Sequence, residues 1–233
     1  MNGATLYRWP DAAKFGRVVP KTKFYEHANV SAAVREQFVA DVKRITWAYK
    51  IADSTVHLRG DSTVPEIQVF VIDAKADDVR YDVLTVIDKA VQFPIFFEIN
   101  RKPDEHVLTR MVASHKQLGG KAQRLSAYFT TDWLPAGAPR APLPLAVDLP
   151  ALYAGLLTPM LPIPARPGEG LADATERVHQ ARRIEREIVG LEKRLRTEPQ
   201  FNRKVELRRE LRRRSDELNA LISPEPLKTE DVL

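Results

Sequence analysis

The chain has 233 residues, 44% hydrophobic, 29% charged and 8% aromatic, enough for one good-sized domain with an appendage or for two small domains. It has no cysteine, which excludes disulfide scaffolds, cysteine-ligated zinc and thiol catalysis. The net charge of +5, from 36 Lys and Arg against 31 Asp and Glu, is modest, and no apolar run approaches the length of about twenty residues that crosses a bilayer.

The first residues lack the apolar core of a secretion signal, so the expected location is the cytoplasm. Ser31 is placed to cap a helix. Val34, Phe38, Val42, Ile45 and Tyr49 step by three or four and carry its apolar face to about Lys50. Residues 55–58 are expected as a short strand, followed by a turn at Arg59-Gly60-Asp61. Residues 67–72, reading IQVFVI, are nearly all apolar and predict a central strand covered on both faces.

Asp82 is the expected cap of a second helix, with Val83, Leu84, Val86, Ile87, Ala90 and Val91 as its stripe. That helix must end before Pro94, because proline disfavours helical geometry in the residue ahead of it. Residues 94–99 and 107–113 predict paired strands joined by the polar stretch 100–105, and 125–129 a last strand. The fold class is α+β: a mixed β-sheet with helices packed on it, spanning residues 1–133.

Residues 134–170 hold nine of the 17 prolines and four of the 10 glycines, which rules out a long helix or central strand and predicts a connector with one or two helical turns at 152–157. From 171 to 222, long charged side chains recur at helical spacing. Ile184, Ile188, Leu191 and Leu195 form a heptad-like seam, and Leu207, Leu211, Leu218 and Leu221 a second, with Arg214 in the intervening position. Thr197 is the expected cap of the second helix, with Pro199 in its first turn. A short joint between helices of similar length predicts an antiparallel, coiled-coil-like hairpin, leaving 223–233 as a tail.

Two kinds of chemistry are candidates. The segment 171–222 carries 14 basic against 10 acidic residues, and Arg203, Lys204, Arg208, Arg209, Arg212 and Arg213 concentrate the excess, a surface suited to DNA or an acidic partner; the alternative is a solvated helix face. The other candidate is a Mg²⁺-dependent nuclease of the PD-(D/E)XK kind. There Asp61 and Asp73 would hold the ion within about 5 Å of each other, Lys75 would steady charge at the attacked phosphate, and Glu36 lies on the preceding helix. His27, His57, His106, His115 and His179 have no metal-binding spacing. Leu118-Gly119-Gly120-Lys121 lacks a complete phosphate-loop pattern and reads as a loop. Trp47, Tyr49, Phe24 and Tyr25 are candidates for base stacking, with Trp47 and Tyr49 expected in the core.

KTKFYEH at 21–27, VKRITWAYKIA at 42–52, EIQVFVIDAK at 66–75, VIDKAVQFPIFFEI at 86–99 and QFNRKVELRRELRRRSDELNAL at 200–221 together resemble the domain of unknown function 4391 family, in order over nearly the whole chain. The resemblance implies a bacterial protein encoded beside DNA methyltransferases and helicases in restriction or anti-phage islands, and brings no catalytic residues with it. The expected function is therefore a non-enzymatic accessory or adaptor subunit without a cofactor. Its basic hairpin would bind a partner protein, a DNA methyltransferase and/or helicase of the same system, and/or DNA. The nuclease and a structural homo-oligomer built on the hairpin are the alternatives.

Overall fold

The computed structural model describes residues 6–26, 30–103, 105–118 and 123–224. The chain divides into two units, Met1–Met160 and Leu161–Leu233. The first is built on a seven-stranded sheet. β1 (Lys14–Val18), β2 (Val42–Ile51), β3 (Ile67–Ala74), β4 (Ile95–Arg101), β5 (Leu108–Gln117) and β6 (Arg124–Thr130) lie side by side in chain order, and the two-residue β7 (Leu134–Pro135) pairs with the start of β5. All pairs are antiparallel except β3 with β4. A parallel pair needs a crossover, supplied by α4 (Tyr81–Ala90), which stops short of Pro94 as its sequence requires.

Helices α1 (Lys21–Glu26), α2 (Ala32–Asp41) and α4 share one face of the sheet, where Phe38, Ile45, Phe70, Ile72, Leu84, Ile87 and Phe97 form a common core. Each such side chain, fully buried, contributes about 1.5–3 kcal/mol. The other face is covered by the N-terminal segment and by α5 (Leu149–Leu157): Trp9 lies 6.2 Å and Tyr153 5.9 Å from the Phe96 ring. Both faces of β3 and β4 are thus covered, as their apolar runs demand.

Two expected elements differ. The helix from Ser31 forms, with Ser31 Oγ accepting from Val34 N at 3.4 Å, but it ends at Asp41, and Val42 begins a strand rather than a further helical turn. Residues 42–51 are rich in Val, Ile, Thr, Trp and Tyr, which suit a pleated surface. Register shifts between Val42 and Arg44 and between Trp47 and Tyr49 each add a residue, so β2 buries Val42, Ile45, Ala48 and Ile51. That spacing of three imitates a helix in a strand. Residues 55–58 form no strand: α3 (Asp53–Val56) is a single helical turn, with the Thr55 hydroxyl taking the Ala52 N–H at 2.9 Å and His57 left-handed at φ 54°.

Smaller shifts occur at helix starts. Arg80, not Asp82, is the residue ahead of α4, held by Asp41 at the end of α2 through Nε at 3.0 Å and Nη2 at 2.8 Å. Within the proline-rich stretch, Asp148 caps α5 by accepting from Ala151 N at 2.8 Å, and Leu149, Leu152, Leu156 and Leu157 are buried.

In the second unit α6 (Leu171–Thr197) and α7 (Phe201–Ile222) form the antiparallel hairpin. Arg214 Nε lies 3.2 Å from Glu187 of α6, and Arg177 of α6 donates to Leu221 O at 2.8 Å. Thr197 closes α6 instead of capping α7, whose preceding residue is Gln200. No helix among the described residues is long and apolar enough to cross a membrane.

Candidate functional site

The carboxylates proposed for a nuclease do not meet. Asp61 sits in the loop ahead of β3, where its Oδ1 accepts from Thr63 N, the Thr63 hydroxyl and Val64 N at 2.7–2.8 Å. These bonds, the hydroxyl first, hold its carboxyl below the usual range. The loop is tight: Gly60 lies so close to Pro65 that an added Cβ would stand 2.6 Å from its carbonyl oxygen. Asp73 is at the far end of β3, six residues or about 20 Å along the strand from Ile67. Both its oxygens are engaged, by Arg44 Nε at 2.8 Å and Asn100 Nδ2 at 3.1 Å.

Lys75, just past the strand, donates to Val39 O at 2.8 Å and closes the C-terminus of α2 together with Lys21, which donates to Phe38 O at 2.9 Å and Val42 O at 2.5 Å. Glu36 is exposed on α2. Asp73 and Lys75 therefore share an end of the sheet without Asp61, and the spacing of acid and lysine reflects an ion pair and a helix cap. Among the described residues no three His, Asp or Glu side chains gather to hold a metal ion.

The arginine cluster on α7 is real but divided. Leu207, Leu211, Arg214 and Leu218 are half-buried toward the seam. At about 100° per residue this turns Arg209, Arg212 and Arg213 away from the seam and sets Arg208 on a flank, and all four are exposed. What sets Arg213 apart is Glu210, which it grips at 3.0 and 2.5 Å. That pair raises the Arg213 pKa and lowers that of Glu210. Arg214 is shared among Glu187, Glu210 and Glu217 at 2.9–3.3 Å. Arg203, exposed, and Lys204, half-buried, stand one to two turns earlier. Among the described residues, Arg203, Lys204, Arg208, Arg209 and Arg212 make no ion pair.

Sequence reasoning missed two buried polar groups in the first unit. Lys116 on β5 is wholly buried: its Nζ lies 2.6 Å from Asp88 Oδ1 and donates to the carbonyls of Asp88, Val91 and Phe93 at 2.7–2.8 Å, closing the end of α4. Burial lowers its pKa against the pull of Asp88. Asp88 also accepts from Ser114 Oγ at 2.8 Å and Tyr128 OH at 3.0 Å, and burial pushes the Tyr128 phenol far above its ordinary value.

On the other face of the sheet, Glu98 is clasped by Arg140 at 2.7 and 2.9 Å and by Trp9 Nε1 at 2.6 Å. It backs a cleft of about 380 Å³ with Thr46, Tyr49 and Lys14. The alternating positions of Ser114 and Lys116 on β5, opposite Asp88 at the end of α4, were the one available signal for the first cluster.

The remaining candidates are structural or lie elsewhere. His57, His106 and His179 are exposed and apart, and His115 is buried. His27 and Gly119-Gly120-Lys121 lie outside the described residues. Trp47 packs against Phe15 and Phe70 with centroids 4.2 and 6.0 Å apart, and Phe24 is buried.

The family model described as domain of unknown function (DUF4391) matches residues 8–218. No curated protein and no solved structure matches the chain.

Proposed function

We propose, for a chain that belongs to the domain of unknown function 4391 family, that it is a non-catalytic accessory subunit of a bacterial DNA restriction-modification or anti-phage system, and that its hairpin grips the phosphate backbone of DNA. What supports this is the set Arg208, Arg209 and Arg212, exposed and without an ion pair among the described residues, beside neighbours already neutralised by glutamates. Their guanidinium groups span about 6 Å of helix axis and carry donors suited to phosphate oxygens. Arg203 and Lys204 continue the surface toward the turn, and Arg213, its charge spent on Glu210, plays a lesser part. A DNA methyltransferase or helicase of the same system would then be the neighbour on the same duplex.

The test is duplex-DNA binding by fluorescence anisotropy across a salt series. Reversing Arg208, Arg209 and Arg212 to Glu is expected to abolish binding at 0.15 M salt. Single Arg→Gln changes should each reduce the log–log salt slope by about 0.9, and Arg213→Gln should reduce it less. Failure of the parent protein to bind, or an unchanged slope in the triple reversal, overturns the assignment.

A further inference from the structure

The hairpin does not account for the cleft of about 380 Å³ over Glu98 in the first unit. Its volume lies within the range of roughly 300–1,000 Å³ typical of small-molecule sites. The sheet supplies the floor. Thr46 of β2, Val71 of β3 and Glu98 of β4 stand side by side in register, and two strand spacings put about 10 Å between the outer pair. Ala48 and Val71 keep the middle of the floor small and apolar, and Trp9 and Tyr49, with ring centroids 6.2 Å apart, line the same cleft. Such a surface suits a flat ring.

The polar groups are sorted by depth. Glu98 is buried at the back, where its Oε1 accepts from Trp9 Nε1 and Arg140 Nη1, whereas its Oε2 accepts from Arg140 Nη2 alone, at 2.9 Å, among the described residues. A carboxylate oxygen accommodates two hydrogen bonds, so Glu98 retains capacity for one more donor. The half-buried Tyr49 phenol has no hydrogen-bond partner among the described residues. Burial, and next the Glu98 carboxylate, push its pKa up, so it remains protonated. At the rim stand Arg8, Lys14 and Asp11, all exposed. Lys14 is the register partner of Tyr49 across β1 and β2, and the Arg8 backbone is fixed by its N–H on Ala141 O at 2.8 Å.

We infer that this cleft binds a nucleoside monophosphate whose base carries an amino group. The base lies over Ala48 and Val71 with its exocyclic amino group on Glu98, the ribose hydroxyls meet Asp11 and Tyr49, and the phosphate is held by Arg8 and Lys14. An acid at depth with cations at the rim sets the direction of the ligand, base inward and phosphate outward. A carboxylate accepts from an amino group such as that of cytosine and repels the carbonyl that uracil carries in its place. A purely apolar anion would leave Glu98 and Tyr49 desolvated without a partner. The site is independent of the hairpin and of what the hairpin binds.

The experiment uses the full chain, with AMP, CMP, UMP and adenosine titrated by calorimetry. AMP and CMP are expected to bind saturably. CMP should bind at least roughly tenfold more tightly than UMP, and AMP at least roughly tenfold more tightly than adenosine, each equivalent to about 1.4 kcal/mol. These comparisons need no substitution. The surface double variant Arg8→Glu/Lys14→Glu should weaken AMP by roughly tenfold or more and leave adenosine unaffected. Asp11→Ala separates hydrogen bonding from charge: loss of the ribose acceptor weakens AMP, whereas an acid acting through its charge alone would, once removed, strengthen it.

Reversing Arg208, Arg209 and Arg212, which should abolish DNA binding, is expected to leave AMP binding unchanged, so either assignment can fail without the other. Any of these results overturns the inference: no saturable binding of AMP or CMP, equal affinity for CMP and UMP, an AMP affinity untouched by the rim reversal or raised in Asp11→Ala, or AMP binding lost with the hairpin arginines.

Discussion

The sheet unit and the outer face of α7 use basic side chains in opposite ways. In the first, cations close helix ends: buried Lys116 takes three carbonyls at the end of α4, and half-buried Lys21 and exposed Lys75 take those at the end of α2; in the second unit, Arg166 and Arg177 do the same at the end of α7. Neither α2 nor α4 ends in a glycine, so the orphan carbonyls of the last turn are answered from the sheet and from a neighbouring helix. On the outer face of α7, Arg208, Arg209 and Arg212 are exposed and close nothing. A positive charge in this protein is thus either part of the fold or part of a surface, and what separates the two roles is whether helix-end carbonyls take it up.

The sharpest way to break that distinction is to remove Lys116. Its side chain is 0% exposed and that of Asp88 1%, so Lys116→Ala strands a carboxylate and three carbonyls in the core. Losing one partner of a buried pair costs about 3–5 kcal/mol, whereas Arg209→Ala on the exposed face of α7 should stay within about 0.5 kcal/mol. Urea denaturation of both variants checks the contrast. Similar midpoints would mean that the two roles are not distinct.

A second, smaller effect concerns a proton. His115 is buried beside Lys116, and burial pushes its pKa below the ordinary value of 6.5. Below about pH 6.5 the unfolded chain takes up a proton that the folded one refuses, until the pH also passes the lowered folded value. Stability is therefore full above that range and falls as the pH drops through it, by at most about 1.4 kcal/mol per pH unit for one proton. Urea midpoints at pH 7.5 and 5.5 should differ in the parent and differ less in His115→Gln. An equal difference in both would assign the dependence to other groups.

The fold was legible where side-chain period and backbone period agree. The apolar run of β3, the stop before Pro94 and the leucine seam of the hairpin each reflect a single rule acting locally. It was illegible in β2, because two bulges shifted its buried positions to Val42, Ile45, Ala48 and Ile51, a spacing that a helix would also produce. The basic surface of α7 could be read as a charge cluster. Its division into idle and spent arginines could not, since that depends on which flank carries Glu210 and on Glu187 reaching across from α6. Lys116 was hidden for a different reason: a lysine in a strand reads as solvent-facing, and only the chain reversal after α4 brings its acceptors together.

Arg214 is the residue on which the two roles overlap, and it carries the smallest expected effect. It occupies a seam position between Leu211 and Leu218, is 24% exposed, and divides its charge among three glutamates. If its contribution is electrostatic, Arg214→Leu should destabilise the hairpin, because Glu217 loses its partner and Glu187 keeps only Arg183 at 3.6 Å. If the seam is governed by apolar packing, Leu completes the heptad pattern, and the glutamates, exposed by about two-fifths, return to water at little cost. Exposed pairs contribute about 0.2–1 kcal/mol and a well-packed leucine contributes more, so the expected outcome is unchanged or slightly raised stability. A polar residue at a seam position also fixes register and copy number, and its loss should make the hairpin more prone to self-association. Thermal melts with light scattering at two protein concentrations measure both. A melting temperature lower by more than a few degrees would show that the charge network, not the leucines, holds the two helices together.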